Sequence, residues 1–231
     1  MLNGVDKNIE FLLTNVLVKH KRSELEILKF SKNQPIISES TLIEHIYFLV
    51  GGKIKVYKEY ENGKTLLLQF VDGLSSMGDV EYINEINIAT GSVKAVNDVY
   101  LFKLTFDELS EKYSTCREFN NYLIKHLSKR FLTSNGKTGL NLIYSVETRL
   151  ASYILSMNNK ISENIVILEN LQDLSNNLGT SYRHLHRSLK DLSDKKAIQR
   201  VKNKITILDL NKLKELARGN IYEDSYSESE T

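Results

Sequence analysis

Two arginines four residues apart, Arg183 and Arg187, sit in the run Thr180-Ser181-Tyr182-Arg183-His184-Leu185-His186-Arg187-Ser188-Leu189. A guanidinium can donate two hydrogen bonds to O6 and N7 of guanine, so arginines on one helix face suit the reading of base edges. Leu185, Leu189 and Leu192 recur with helical spacing and predict the face turned to a core. Ser181, Tyr182, Arg183, His186, Arg187 and Lys190 are then outward. Ser181 and Tyr182, at the helix start, are placed for phosphates, as are Lys202 and Lys204 further along. A solvated charged face is the bland alternative, and the charge distribution argues against it. Leu171 to Lys204 holds eight Lys/Arg against three acids, Asp173, Asp191 and Asp194, in a chain of net charge only +2. Residues Ile221 to Thr231 are the reverse, with Glu223, Asp224, Glu228 and Glu230 among serines and no base. That composition predicts a solvated, disordered acidic tail over 220–231.

The elements that must position these side chains read as a winged helix-turn-helix over 145–219. Asn170 is placed to cap a helix over about Leu171–Leu178, Gly179 breaks it, and Thr180 or Ser181 restarts a second one. Ile198–Val201, the turn Lys202-Asn203, and Lys204–Leu208 predict a two-stranded wing, with Ile165–Leu168 a short strand before it. Ser145 caps a helix to about Met157 whose Val146, Leu150, Ile154 and Leu155 face inward.

Upstream the periodicity changes. From about Phe30 to Thr105 short runs such as Ile46–Val50, Lys53–Tyr57, Leu66–Phe70, Ser92–Val96 and Val99–Leu104 alternate with glycine turns, and Glu61-Asn62-Gly63-Lys64 reads as a hairpin. Such spacing predicts an antiparallel sandwich or barrel, a sensor domain over 1–108 with a helical lead-in. Phe106–Leu109 then opens a short helix, and Thr115 with Glu118 fits a capping box for a longer one. Phe119, Leu123, Leu127 and Phe131 recur at intervals of four along it. Packing on the chain's own barrel and a dimer seam both account for that stripe, within a segment bounded at 109–144. The stripe fades through Thr133–Gly139 and resumes at Leu140-Asn141-Leu142-Ile143.

Composition sets outer bounds. The chain has 231 residues, 41% hydrophobic and 26% charged, as expected of a soluble globular protein. One cysteine, Cys116, excludes an intramolecular disulfide and any four-cysteine iron–sulfur cluster within the chain. No charged-then-apolar leader opens it and no apolar run is long enough to span a bilayer, so a cytoplasmic protein without membrane partners is expected.

The whole order of parts, over about residues 20–210, resembles the Crp/Fnr family of transcription regulators. Ile46-Tyr47-Phe48-Leu49-Val50-Gly51-Gly52-Lys53-Ile54-Lys55-Val56 is similar to that family's signature strand pair. Leu171-Gln172-Asp173-Leu174-Ser175-Asn176-Asn177-Leu178-Gly179-Thr180-Ser181 is similar to its helix-turn-helix entry, and Arg187 falls on its base-reading arginine. Tyr182-Arg183 stands where many members carry Arg-Glu, which implies a different recognised sequence, and the Ser-Tyr-Arg-His-Leu run resembles the YeiL-like branch. The resemblance implies an α+β fold: an N-terminal cyclic-nucleotide-binding-type antiparallel β-barrel (jelly roll), a long dimerisation helix and the C-terminal winged helix. It also implies a homodimer on a two-fold symmetric double-stranded DNA operator, RNA polymerase as a further partner, an effector of unknown chemistry, and Phe119, Leu123, Leu127 and Phe131 at the dimer interface.

Family members that bind cyclic AMP carry a Gly-Glu pair and, ten residues after the acid, an arginine followed by Ser or Thr. Here Gly78-Asp79 keeps the pair with a shorter acid, and the later positions hold Ala89 and Thr90. Without the arginine fork, cyclic-nucleotide regulation is not expected; Lys94, five residues off, offers only a point charge. His20, His45 and His126 are scattered and have no second ligand at recognisable spacing, so neither haem nor any metal or other cofactor is expected. Catalytic residues are not expected either. A cupin-like metalloenzyme would need two histidines and a glutamate on the barrel strands, where only His45 occurs, and a non-enzymatic ligand-binding module would leave the basic winged helix without a task.

Overall fold

The computed structural model describes residues 2–61, 63–137, 143–158, 164–168, 170–218 and 220–222. Asn62 of the Asn-Gly turn, Gly139 to Leu142 of the resumed stripe and the acidic run from Glu223 lie outside the described residues. The chain divides into two compact units: residues 1–56 with 71–132, and residues 57–70 with 133–231.

In the first unit, Val5, Ile9, Leu12 and Val16 recur at helical spacing, which explains why α1 (Leu2–Asn15) forms and buries one face. Eight strands follow along the chain among the described residues, the end of β4 and most of β5 falling in the second unit: β1 (Leu28–Phe30), β2 (Pro35–Ile37), β3 (His45–Gly51), β4 (Lys53–Glu59), β5 (Thr65–Asp72), β6 (Ser75–Met77), β7 (Ser92–Ala95) and β8 (Val99–Thr105). They pair as two four-stranded sheets, ordered β1-β8-β3-β6 and β2-β7-β4-β5. The expected barrel is thus a jelly-roll arrangement of two sheets and not a closed cylinder. Strand alternation decides which core each residue joins. Leu49, Ile54, Val93, Val99 and Leu101 fill the space between the sheets. Ile46, Phe48, Val50, Phe102 and Leu104, on the other side of β3 and β8, pack against helices. Phe48 and Phe102 lie opposite in register with ring centroids 5.0 Å apart.

The helices on that face are α1, α3 (Phe106–Tyr113) and α4 (Arg117–Lys137), while α2 (Asp79–Ile83) follows β6. Thr105 caps α3 by accepting from Glu108 N. Helix α4 begins at Arg117, one residue after Cys116, whose thiol donates to Glu118 Oε2 at 3.3 Å. His20 is buried between Tyr113 Oη (2.7 Å) and Glu108 Oε1 (2.9 Å), tying the segment after α1 to α3.

The second unit holds α5 (Val146–Met157), β9 (Ile165–Ile167), α6 (Leu171–Asn177), α7 (Tyr182–Asp194), β10 (Ile198–Val201), β11 (Lys204–Ile207) and α8 (Leu210–Leu216). Ser145, Asn170 and Ser181 cap α5, α6 and α7, each side-chain oxygen accepting a first-turn backbone N–H. Of the two candidates to start α7, Ser181 holds the cap. The wing is a three-stranded antiparallel sheet ordered β10-β11-β9, because Val166 pairs with Ile205. The stretch from Tyr57 to Phe70 also belongs to this unit: Thr65 Oγ1 donates to Asn177 Oδ1 at 2.6 Å, and the Phe70 ring stands edge-on to Tyr153.

Candidate nucleic-acid interface

Helix α7 sorts its residues as amphipathic spacing requires. Leu185, Ser188, Leu189 and Leu192 are buried, while Tyr182, Arg183, His184, Arg187 and Lys190 are exposed. The turn before it depends on Gly179, whose φ of 58° is left-handed backbone that favours a residue without Cβ. Thr180 N there donates to Ser175 O at 2.9 Å, closing the end of α6. Arg149 of α5, buried, donates to the Leu178 carbonyl and braces the turn from below. Burial lowers the Arg149 pKa from its ordinary value.

The expected outward set is not uniform. Ser181 is spent on its capping bond to His184 N (3.2 Å), and His186 is half-buried with its ring 4.6 Å from that of Tyr182. His184, which spacing alone had not singled out, is exposed instead. Lys202 and Lys204 are exposed on the wing, Lys202 at a left-handed φ of 55° that turns the chain between β10 and β11. Arg200, on β10, joins this set although its spacing gave no sign of it. Its Nε donates to Lys202 O at 2.8 Å, and with His186, Arg187, Leu189, Lys190 and Ser193 it bounds a cleft of about 520 Å³ between helix and wing. Among the described residues no acid forms an ion pair with Arg187, Lys190 or Arg200. The face therefore keeps an uncompensated positive charge, which suits phosphates.

The four-residue stripe on α4 is divided. Phe119 and Leu123 are buried in the unit's own core, Leu127 is half-buried, and Phe131 is 65% exposed. Ile124 (62%) and Leu132 (60%) join Phe131 in the exposed apolar set. A helix advances 100° per residue, so an exact spacing of four drifts around it, and the first half of the stripe meets β3 and β8 while the second half faces away.

At Gly78-Asp79 the backbone turns with φ 85° at Gly78, where a Cβ would sit 2.5 Å from His45 O. Asp79 is fully buried. Its Oδ2 lies 2.8 Å from His126 Nδ1 and its Oδ1 2.8 Å from Arg130 Nη1, both on α4. Ser75 Oγ meets the far side of the same imidazole at 2.9 Å. Burial pushes the Asp79 carboxyl up, but the His126 hydrogen bond and the Arg130 charge outweigh it and hold it below the ordinary value. Tyr122 stacks on His126 at 5.7 Å, and burial pushes its phenol up to about 12. Thr90 N and Oγ1 both donate to Glu81 Oε1, at 2.8 and 2.6 Å, and Ala89 is buried. His126 and Arg130 sit at i, i+4 and so share a face, the one sequence sign of this cluster; their partner 47 residues upstream gave none. Of the other histidines, His20 is packed as above, and His45 is part-buried, its pKa lowered by burial and by Lys103. Among the described residues no group of three His, Cys, Asp or Glu could hold a metal ion. No helix there is long and apolar enough to cross a membrane.

Residues 148–216 match the Crp-like helix-turn-helix domain family, and residues 27–116 match the cyclic nucleotide-binding domain family. The "Probable transcriptional regulator flp" of Lacticaseibacillus casei is 28% identical over 198 residues, 80% of this chain and 84% of that protein. A solved CRP/FNR-family transcriptional regulator from Thermus thermophilus superposes with a TM-score of 0.68 at 19% identity, covering 84% of this chain and all of that one. FixK2 from Bradyrhizobium japonicum does so with a TM-score of 0.63 at 16% identity, over 83% and 96% of the two chains.

Proposed function

The chain belongs to the Crp/Fnr family of transcription regulators, and from that premise we propose that it binds a two-fold symmetric DNA operator as a homodimer. The observation that carries this is α7: a capped helix with a leucine face inward and Arg183, Arg187 and Lys190 uncovered. In the groove Arg183 and Arg187 read base edges, Tyr182, His184 and the half-buried His186 flank them, and Ser181 fixes the helix start by its cap. Lys190, Arg200, Lys202 and Lys204 hold phosphates. Such a protein works in the cytoplasm, where it changes the access of RNA polymerase to promoters.

The dimer seam is the outer half of α4, Ile124, Leu127, Phe131 and Leu132, since Phe119 and Leu123 are already spent within the protomer. Two such helices side by side bury an apolar strip at 3-then-4 spacing. Phe131→Glu puts a charge there without touching the sensor core. By sedimentation the variant runs as a monomer, and its affinity for an inverted-repeat duplex falls to the weak level of single half-sites. An undiminished dimer would show that α4 is not the seam.

Cyclic AMP is not the effector. The acids at the pocket position, Asp79 and Glu81, are satisfied by the chain's own His126, Arg130 and Thr90, and no arginine stands at Ala89 to take a cyclic phosphate. Millimolar cyclic AMP should leave the melting temperature unchanged, whereas a rise of several degrees would contradict this.

A further inference from the structure

Within the first unit a hydroxyl, an imidazole and a buried carboxylate stand in the order that activates a serine for acyl transfer. Ser75 Oγ lies 2.9 Å from His126 Nε2, and His126 Nδ1 lies 2.8 Å from Asp79 Oδ2. The carboxylate accepts the Nδ1 proton, which leaves Nε2 to accept from the Ser75 hydroxyl. Arg130 donates to the other carboxylate oxygen at 2.8 Å, so Asp79 is kept from turning away from the ring, and Tyr122 stacks on the imidazole and fixes its plane. Ser76 N points toward Nε2 from 3.5 Å, on the side of the Ser75 hydroxyl. Tyr122 Oη lies near Ser76 and finds no hydrogen-bond partner among the described residues. Its phenol, raised to about 12, keeps its proton at neutral pH and can donate it. Ser75 is 8% exposed, and the chain enters it from Gly73, which is exposed with open space beside it.

We propose that Ser75 is an acyl acceptor, with His126 as its base and Asp79 orienting the ring, for small activated carboxylic esters such as aryl esters and thioesters. Ser75 Oγ bonds to the carbonyl carbon while His126 Nε2 takes the hydroxyl proton. Tyr122 Oη and Ser76 N are the donors beside the oxygen on which negative charge develops. The bond from the carbonyl carbon to the leaving oxygen or sulfur then breaks, and the leaving group departs with the proton from His126. Ser75 is left as an ester, and the balance needs no further reactant. The ester removes the hydroxyl on which the His126 imidazole rests, so the acyl donor leaves a covalent mark against α4 in the sensor unit. Nothing in this depends on α7 or on DNA.

The test treats the full chain with p-nitrophenyl acetate and follows both nitrophenol release and the acetylated peptides by mass spectrometry. Ser75 should be acetylated well ahead of the chain's other serines, and Ser75→Ala should abolish that label. His126→Gln should slow it about 100-fold, the low end of what a positioned base contributes. Asp79→Asn, which sets the imidazole in the wrong tautomer, should slow it as well while circular dichroism stays unchanged. In urea the preference for Ser75 should vanish, which tests the folded arrangement even where a variant fails to fold. Absence of label on Ser75, or acetylation no faster than at other serines, overturns the proposal. So does an undiminished rate in folded His126→Gln, or a preference for Ser75 that survives unfolding.

Discussion

Asp79→Ala lowers the stability of the sensor unit by about 3 kcal/mol, the low end of what removing one partner of a buried ion pair costs. The low end applies because Arg130 keeps a third of its side chain in solvent and can recover some hydration, whereas the imidazole of His126 is mostly enclosed. Denaturant unfolding followed by circular dichroism reads the effect as a shift in midpoint at unchanged slope. The pH dependence has a definite sign. Because the folded carboxyl lies below its ordinary value of 3.8, its contribution is complete at neutral pH and is lost as pH falls through that value toward the lower folded one. The gap between the natural protein and Asp79→Ala therefore narrows in acid. Identical midpoints at pH 7 would mean that the cluster is solvated and does not hold α4 to the sheet.

Arg187→Ala removes roughly 1–3 kcal/mol of discrimination at one base-pair position in each half-site, which is the worth of one bidentate contact to guanine. The loss should fall on the preferred sequence and leave unrelated duplexes nearly unaffected. Lys204→Ala on the exposed wing should do the opposite, weakening all sequences about equally and shallowing the salt dependence by about one unit of slope. Competition binding against a panel of single-base operator variants separates the two. A uniform loss in both variants would show that Arg187 holds a phosphate and not a base.

The parts of the molecule legible in the sequence are those fixed by local rules. Gly179 between two leucine-bearing helices, Ser145, Asn170 and Ser181 at their caps, and the alternation along β3, β4 and β8 each state their conformation within a few residues. What the sequence left open depends on distant partners. Phe119 and Phe131 look alike along α4, yet Phe119 meets the back of β3 and β8 while Phe131 meets solvent, and only the path of the sheet decides this. Asp79 read as a weakened ligand-binding acid until His126 and Arg130, half a domain later, came to lie against it. Arg200 escaped the sequence reading for the same reason, because the cleft it bounds exists only once the wing folds back beside α7.

Binding of the purified chain to duplex DNA across a series of salt concentrations tests the central claim most directly. The logarithm of affinity should fall linearly and steeply with the logarithm of salt, about one unit of slope for each phosphate contacted, and an inverted-repeat operator should stay tighter than a scrambled duplex throughout. Weak retention that is indifferent to both salt and sequence would contradict the assignment of α7 and its wing as a DNA-reading surface.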